Sequence, residues 1–213
     1  MKNTFICSVF FFSLFLGVMG FSQSLWSQKN LERMHAIDAL IGFKLNSNSS
    51  VRVSETGTQS KTHFTGFIGY QYFWKNQWAI CAKIGVFTAE SAVQFSGMKT
   101  SSLTIVPILF GISYYPNALS FNHVGRVHLG IHGGAYMASG TKTDFSEAQF
   151  VSTSVNETVL GMEPNVGIDF LFSQWLAIGP LFSYHWISQF KQVRESPRDY
   201  SGSVWGVHMA VLL

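Results

Sequence analysis

Eight times between Ala36 and Leu213 the chain alternates large apolar residues with a second set of glycine, alanine, histidine and charged residues. Period-two alternation belongs to a β-strand, whose successive side chains point to opposite faces. The segments 36–46, 63–74, 78–90, 101–115, 124–138, 157–172, 175–189 and 201–213 each read as one strand. In the first, Ile37, Ala39, Ile41, Phe43 and Leu45 oppose Asp38, Gly42, Lys44 and Asn46. In the sixth, Leu160, Met162, Val166, Ile168 and Phe170 oppose Gly161, Glu163, Asn165, Gly167 and Asp169. Beyond the N-terminal segment, no stretch has the roughly 18 apolar residues that a membrane-spanning helix requires. Strands can cross a bilayer only in a closed barrel, where every backbone group finds a partner.

The two faces decide between a soluble and a membrane barrel. A soluble barrel turns its apolar residues inward, and a membrane barrel inverts this. Here one face is large and wholly apolar, while small and ionisable residues share the other, which suits a crowded interior. Only 12% of residues are charged, against about 25% in ordinary soluble domains. The fourth strand, "LTIVPILFGISYY", is apolar on both faces and does not discriminate. The expected fold is all-β, an eight-stranded antiparallel up-and-down transmembrane β-barrel. A lipocalin-like soluble binder is disfavoured by the same face assignment. The formal net charge of +3, with no basic cluster, argues against a nucleic-acid partner.

The connectors support this reading, because short and long ones alternate as they do between periplasmic turns and extracellular loops. "KNQ" and "SQ" are short, whereas "NSNSSVRVSETGTQSKT" and "SGTKTDFSEAQFVSTSVN" are long. Tyr72, Trp74, Trp78, Tyr114 and Trp175 gather beside the short turns, where a headgroup-level girdle belongs, and Tyr184 and Trp186 suit the opposite rim. Residues 1–23, with Lys2 ahead of an apolar run and small residues Gly20 and Ser22 at its end, read as a secretory signal peptide. Residues 24–35 then form an N-terminal periplasmic arm and 36–213 the barrel, with both termini periplasmic. Cleavage of the signal leaves Cys81 as the one cysteine, so no intramolecular disulfide is expected.

The stretch "GRVHLGIHGGAYMAS" carries His128 and His132 at a spacing that would chelate a metal on a helix. On a strand, positions four apart stand about 13 Å from one another, so no metal site is expected and no cofactor is implied. Asp38, Glu163 and Asp169 face inward with Lys44, Lys83 and Arg126, a charge-balanced lumen network that His132 joins. One antiparallel register would place Arg126 opposite Asp169 and His132 opposite Glu163, and both contacts are expected. Eight strands leave room only for side chains, so the lumen is expected to be plugged.

The signal peptide, the alternating strands, "SLTIVPILFGISYY", "HLGIHGGAYMASG" and "GMEPNVGIDFLFSQWLAIGPLFSYHW" together resemble the small outer-membrane β-barrel family. That family includes OmpX-like and OmpA-transmembrane-type barrels and a PorT-like branch of secretion-associated proteins. The resemblance covers nearly all of the chain after the signal. It implies residence in the outer membrane of a Gram-negative-type bacterium, contact with lipid and lipopolysaccharide, and insertion by the barrel-assembly machinery. Family members usually end in Phe or Tyr, whereas this chain ends in Leu213. No functional residue is fixed across the family, so none carries over.

Three functions follow. The first is a non-enzymatic barrel whose extracellular loops meet a protein partner or surface polymer. The second is an accessory subunit of a secretion or assembly complex. The third is a lipid-modifying enzyme, which needs a nucleophile, a base and an orienting carboxylate. His185 and Ser188 are three apart and fall on opposite faces, and no His-x-Ser pair occurs. No catalytic residue is therefore assigned.

Overall fold

The structure is a computed structural model, and it describes residues 31–46, 62–94, 99–121, 125–146, 149–190 and 200–213. The expected signal peptide, most of the expected N-terminal arm and the first long connector lie outside the described residues. Eight long strands follow one another: β1 (His35–Asn46), β2 (Thr62–Lys75), β3 (Trp78–Gln94), β4 (Lys99–Tyr114), β5 (Gly125–Ser146), β6 (Gln149–Leu171), β7 (Leu176–Ile187) and β8 (Gly202–Leu212). Each pairs antiparallel with its neighbours in the chain, and β1 pairs with β8 from Ala36–Leu212 to Asn46–Gly202. The sheet therefore closes on itself as an eight-stranded up-and-down β-barrel. A 3-10 turn at Asn117–Leu119 and a two-residue pairing at Ser120–Phe121 lie between β4 and β5.

The start of β1, the end of β8 and the turns at 76–77 and 172–175 lie at one end of the cylinder, the turn end. The other is the loop end. There the third long connector departs from its reading as a loop. β5 and β6 run on as a regular ladder from Ser139–Asn156 to Ser146–Gln149, leaving only residues 147–148 between them. β3 and β4 lengthen with them, pairing as far as Gln94–Lys99, and β4 stays bonded to β5 out to Thr100–Thr143. The segment reads as a loop because it is rich in Ser and Thr and has no sustained apolar alternation. An apolar stripe is not required for backbone pairing, so its absence does not mark the end of a strand.

The outer wall is apolar. Ile41, Phe43, Phe64, Ile68, Ile84, Phe110, Leu160, Trp205 and Val207 are all exposed, Leu160 at 72% and Ile68 at 64%. Lys44, Arg126, His128, His132, Glu163, Asp169, His185 and His208 are all buried in the bore. The interior is layered along the axis. An apolar cluster at the turn end joins Leu31, Phe73, Tyr115, Leu171, Ala210 and Leu212. A second, at the loop end, joins Phe87, Leu103, Ile105, Leu109, Tyr136, Phe190 and Tyr200. This explains the two apolar faces of β4, since Leu103, Ile105 and Leu109 supply the inner one.

Interior glycines make room for the polar layer between these clusters. A Cβ on Gly130 would stand 2.6 Å from Asn165 Oδ1, and one on Gly167 would stand 2.5 Å from His128 Cε1. The small residues that alternate with apolar ones along the chain are thus the space that long polar side chains occupy.

Candidate functional site

The polar layer contains two hydrogen-bonded chains. The first crosses the bore near the turn end. Tyr115 donates its hydroxyl to Gln71 Oε1 at 2.9 Å, and Gln71 Nε2 donates to Asp38 Oδ2 at 3.2 Å. His208 stands between two carboxylates, with Nε2 3.4 Å from Asp38 Oδ2 and Nδ1 3.0 Å from Asp169 Oδ1. His128 Nδ1 meets the second oxygen of Asp169 at 3.1 Å. An ionised carboxylate only accepts hydrogen bonds. The His208 ring therefore lies between Asp38 on β1 and Asp169 on β6, placed to donate to both carboxylates when both its nitrogens carry a proton. Arg126 extends the layer to the mouth, where its Nη2 and the Leu31 backbone N–H share Asn76 Oδ1 at 3.5 and 3.1 Å.

The second chain sits nearer mid-barrel. Lys83 on β3 reaches across the bore to Glu163 on β6, with Nζ 2.5 Å from Oε1 and the carboxylate 1% exposed. Asn165 Nδ2 donates to His132 Nδ1 at 2.9 Å. His185 stacks on Phe67 with 5.6 Å between ring centroids, and its Nδ1 meets the Tyr136 hydroxyl at 2.9 Å. Its Nε2 lies 3.4 Å from Ser183 Oγ and 3.9 Å from Glu163 Oε2. Further toward the loop end, Lys44 donates to the Tyr200 carbonyl at 2.5 Å and lies over the Phe87 ring.

The seven ionisable residues singled out in the sequence all lie in the bore. The register pairs Arg126 with Asp169 and His132 with Glu163 as neighbours on β5 and β6. His132 meets the Glu163 backbone, and the two carboxylates take further partners. The Asp169 carboxylate is held by His128 and His208, and the Glu163 carboxylate by Lys83. Residues adjacent along a ladder point side by side at the axis, whereas residues across the bore meet tip to tip. In a barrel this narrow the second arrangement supplies the contacts.

Sequence reasoning overlooked three partners. His208 and His185 were not placed in the network, although both fall on an inward face by simple alternation. Ser183 was not considered, yet Ser183-x-His185 puts a hydroxyl and an imidazole side by side. The arrangement lacks the geometry of a hydrolytic triad. Ser183 and Glu163 approach the same ring nitrogen, Tyr136 holds the other, and Ser183 and His185 are both 0% exposed. A triad needs nucleophile and carboxylate on opposite nitrogens. No group of three His, Cys, Asp or Glu side chains among the described residues could hold a metal ion.

On the outside, Trp78 packs on Tyr114 with 4.6 Å between ring centroids, beside the turn that also carries Trp74. Tyr72 packs at a tilt against His35 with 5.1 Å between ring centroids, and Trp175 is 57% exposed in the 172–175 turn. Tyr184 and Trp186 meet edge to face toward the loop end. The outer aromatics there extend further than these two. Phe64, Phe43, Trp205 and Phe182 form one cross-strand row on four adjacent strands.

No protein-family model matches the chain, and no curated protein matches it in sequence. Solved structures do match in shape. The fold is that of small outer-membrane barrels. A major outer membrane protein from Thermus thermophilus superposes with a TM-score of 0.60 and 11% identity, over 84% of this chain and 98% of that one. The outer membrane protein OprG from Pseudomonas aeruginosa gives 0.58 and 9%, over 85% and 96%. Ail, the attachment invasion locus protein of Yersinia pestis, gives 0.54 and 11%, over 85% and 99%. At such identities the likeness establishes the fold.

Proposed function

We propose that this protein is a non-enzymatic integral barrel of the bacterial outer membrane, with a closed lumen and a loop-end sheet that meets a partner outside the cell. The wall carries the reading. From Ile37 on β1 to Met209 on β8, the outward side chains of the described membrane-depth segments include no charged residue, while the charges are inside. A soluble protein gains nothing from exposing Ile41, Phe64, Ile68, Phe110 and Leu160 together, and an apolar surface of this extent has to be covered. Hydrocarbon covers it without a partner. The girdle residues Tyr72, Trp74, Trp78, Tyr114 and Trp175 then mark the periplasmic headgroup level, and Tyr184 and Trp186 the outer one. The termini and short turns are periplasmic. Lipid and lipopolysaccharide surround the wall, and insertion depends on the barrel-assembly machinery.

The layered interior supports a closed bore. Apolar clusters occupy both ends, and Lys83–Glu163 and Asp38–His208–Asp169 lie across the space between them. The β3–β6 extension supports an interaction role. It carries the paired strands β3 to β6 beyond the apolar part of the wall, at the end opposite the short turns. Strands and connectors carried beyond the wall are where such a scaffold meets other molecules.

Fractionation tests the location: the protein should sediment with outer membrane and change gel mobility on heating. Recovery in the soluble periplasm refutes it. In planar bilayers the purified barrel should conduct no ions, and steady conductance would refute the closed lumen. Replacing residues 141–154 by a short turn should leave assembly intact and abolish surface binding; unchanged binding removes the extension from the account.

A further inference from the structure

Two prolines interrupt one seam of the wall, between β6 and β7. Ser188 donates its N–H to the Leu160 carbonyl at 3.0 Å, and Phe172 donates to Leu176 at 2.9 Å. Main-chain N–H and C=O groups alternate in direction along a strand. Even-numbered residues of β6 and β7 therefore turn their hydrogen-bonding groups toward each other. Pro164 and Pro180 are both even-numbered, and neither nitrogen carries a hydrogen. The seam thus lacks two donors in its interior, one aimed at Tyr184 and one at Ile168.

The register shows the consequence. β6 and β7 pair at Gly161–Ile187 and Met162–Trp186, again from Asn165–Ser183 to Gly167–Leu181, and again at Phe170–Ile178 and Leu171–Ala177. The steps in between, at Glu163–Pro164 and Ile168–Asp169, are missing. Both prolines keep their pairing on the other side, Pro164 with Ile131 and Pro180 with Val207. Other seams show the contrast. β1–β8 is unbroken from Ala36–Leu212 to Asn46–Gly202, and β5–β6 from Gly125–Phe170 to Ser146–Gln149. One further proline, Pro107, turns its nitrogen toward β3, and the β3–β4 register skips the steps between Ile84–Ile108 and Phe87–Ile105. That seam has one interior proline and β6–β7 has two.

Proline within a sheet is tolerated at edges and bulges because it removes a ladder bond. In hydrocarbon no water replaces a missing backbone bond. Two such losses on one seam concentrate the wall's opening there. We propose that the β6–β7 seam is the line along which the barrel wall opens, uncovering the interior groups Glu163 and His185 that flank its first break. The ladder geometry stands apart from the membrane assignment, and only the statement that the opening faces lipid rests on it.

Amide hydrogen exchange, read residue by residue by NMR on the full barrel in detergent micelles, tests this without any substitution. Amides on the seam, including Val166, Ile168, Phe182 and Tyr184, should exchange faster than those of β1 and β8 at Ile41, Phe43, Val207 and Met209. Each missing bond is expected to contribute about ten-fold. Amides of the β3–β4 seam beside Pro107 should fall in between. Protection of the β6–β7 amides equal to that of β1–β8 overturns the proposal. In Pro164→Val and Pro180→Val the exchange at Tyr184 and Ile168 should slow; unchanged exchange would show that the prolines are not the cause. Because the ordering of seams is read on the wild-type protein, it decides the proposal even if a variant fails to assemble.

Discussion

Replacing Lys83 by methionine isolates what the interior network contributes. Lys83 Nζ stands 2.5 Å from Glu163 Oε1, and the side chains are 11% and 1% exposed. The second oxygen of Glu163 is buried with no hydrogen-bond partner, so the lysine is the main support of that charge. Methionine keeps the volume and the stem while removing the ammonium. The carboxylate is then buried without compensation, at a cost of about 3–5 kcal/mol. Removing both charges, with Lys83→Met and Glu163→Met together, takes away the stranded group and should return the barrel to within about 1 kcal/mol of wild type. The double variant is thus expected to be more stable than one of its parents. Equilibrium urea unfolding in lipid vesicles at pH 8, followed by tryptophan fluorescence, gives all three values. If Lys83→Met alone unfolds at the wild-type urea concentration, the bridge carries no stability. If the double variant loses the sum of the two singles, the residues are not coupled, and the reasoning fails.

Further substitutions separate the wall from the bore. Ile41→Arg, at a site 62% exposed, should cost about 2–4 kcal/mol of folding stability in a bilayer, where the same change on a soluble protein's surface would be tolerated. His208→Leu removes the ring between Asp38 and Asp169, so the two carboxylates repel. The variant's stability deficit should shrink as pH falls through the carboxylate range, because protonation removes the repulsion; a deficit independent of pH would count against an imidazolium bridge. Gly130→Val pushes on Asn165, and through it on His132, and should destabilise by about 1–3 kcal/mol in the same unfolding assay.

The fold was legible because alternation is local. Ile37 to Leu45 and Trp205 to Leu213 each announce a strand with one greasy face, and eight such runs with short connectors leave few topologies. The β5–β6 register was legible for the same reason, since the charged and histidine positions of two adjacent strands match in only one alignment. The cross-bore partners were not. Lys83 and Glu163 are 80 positions apart, and they meet because closure brings β3 opposite β6, a relation no local pattern encodes. The residues 139–156 misled for the complementary reason. Beyond the apolar layer a strand keeps its backbone ladder and loses its side-chain signature. Ser183 and His185 stand in the order Ser-x-His, the reverse of the His-x-Ser pattern sought in the sequence.

The most direct test places a nitroxide label, one cysteine at a time in a Cys81→Ala background, at residues 37 to 44 of β1 in barrels reconstituted into lipid vesicles. Collision with oxygen, which dissolves in hydrocarbon, should rise at 37, 39, 41 and 43 and fall at 38, 40, 42 and 44, with a water-soluble nickel reagent excluded from the first set. Nickel access at 37, 39, 41 and 43, or a signal without period two, would contradict a wall that faces lipid.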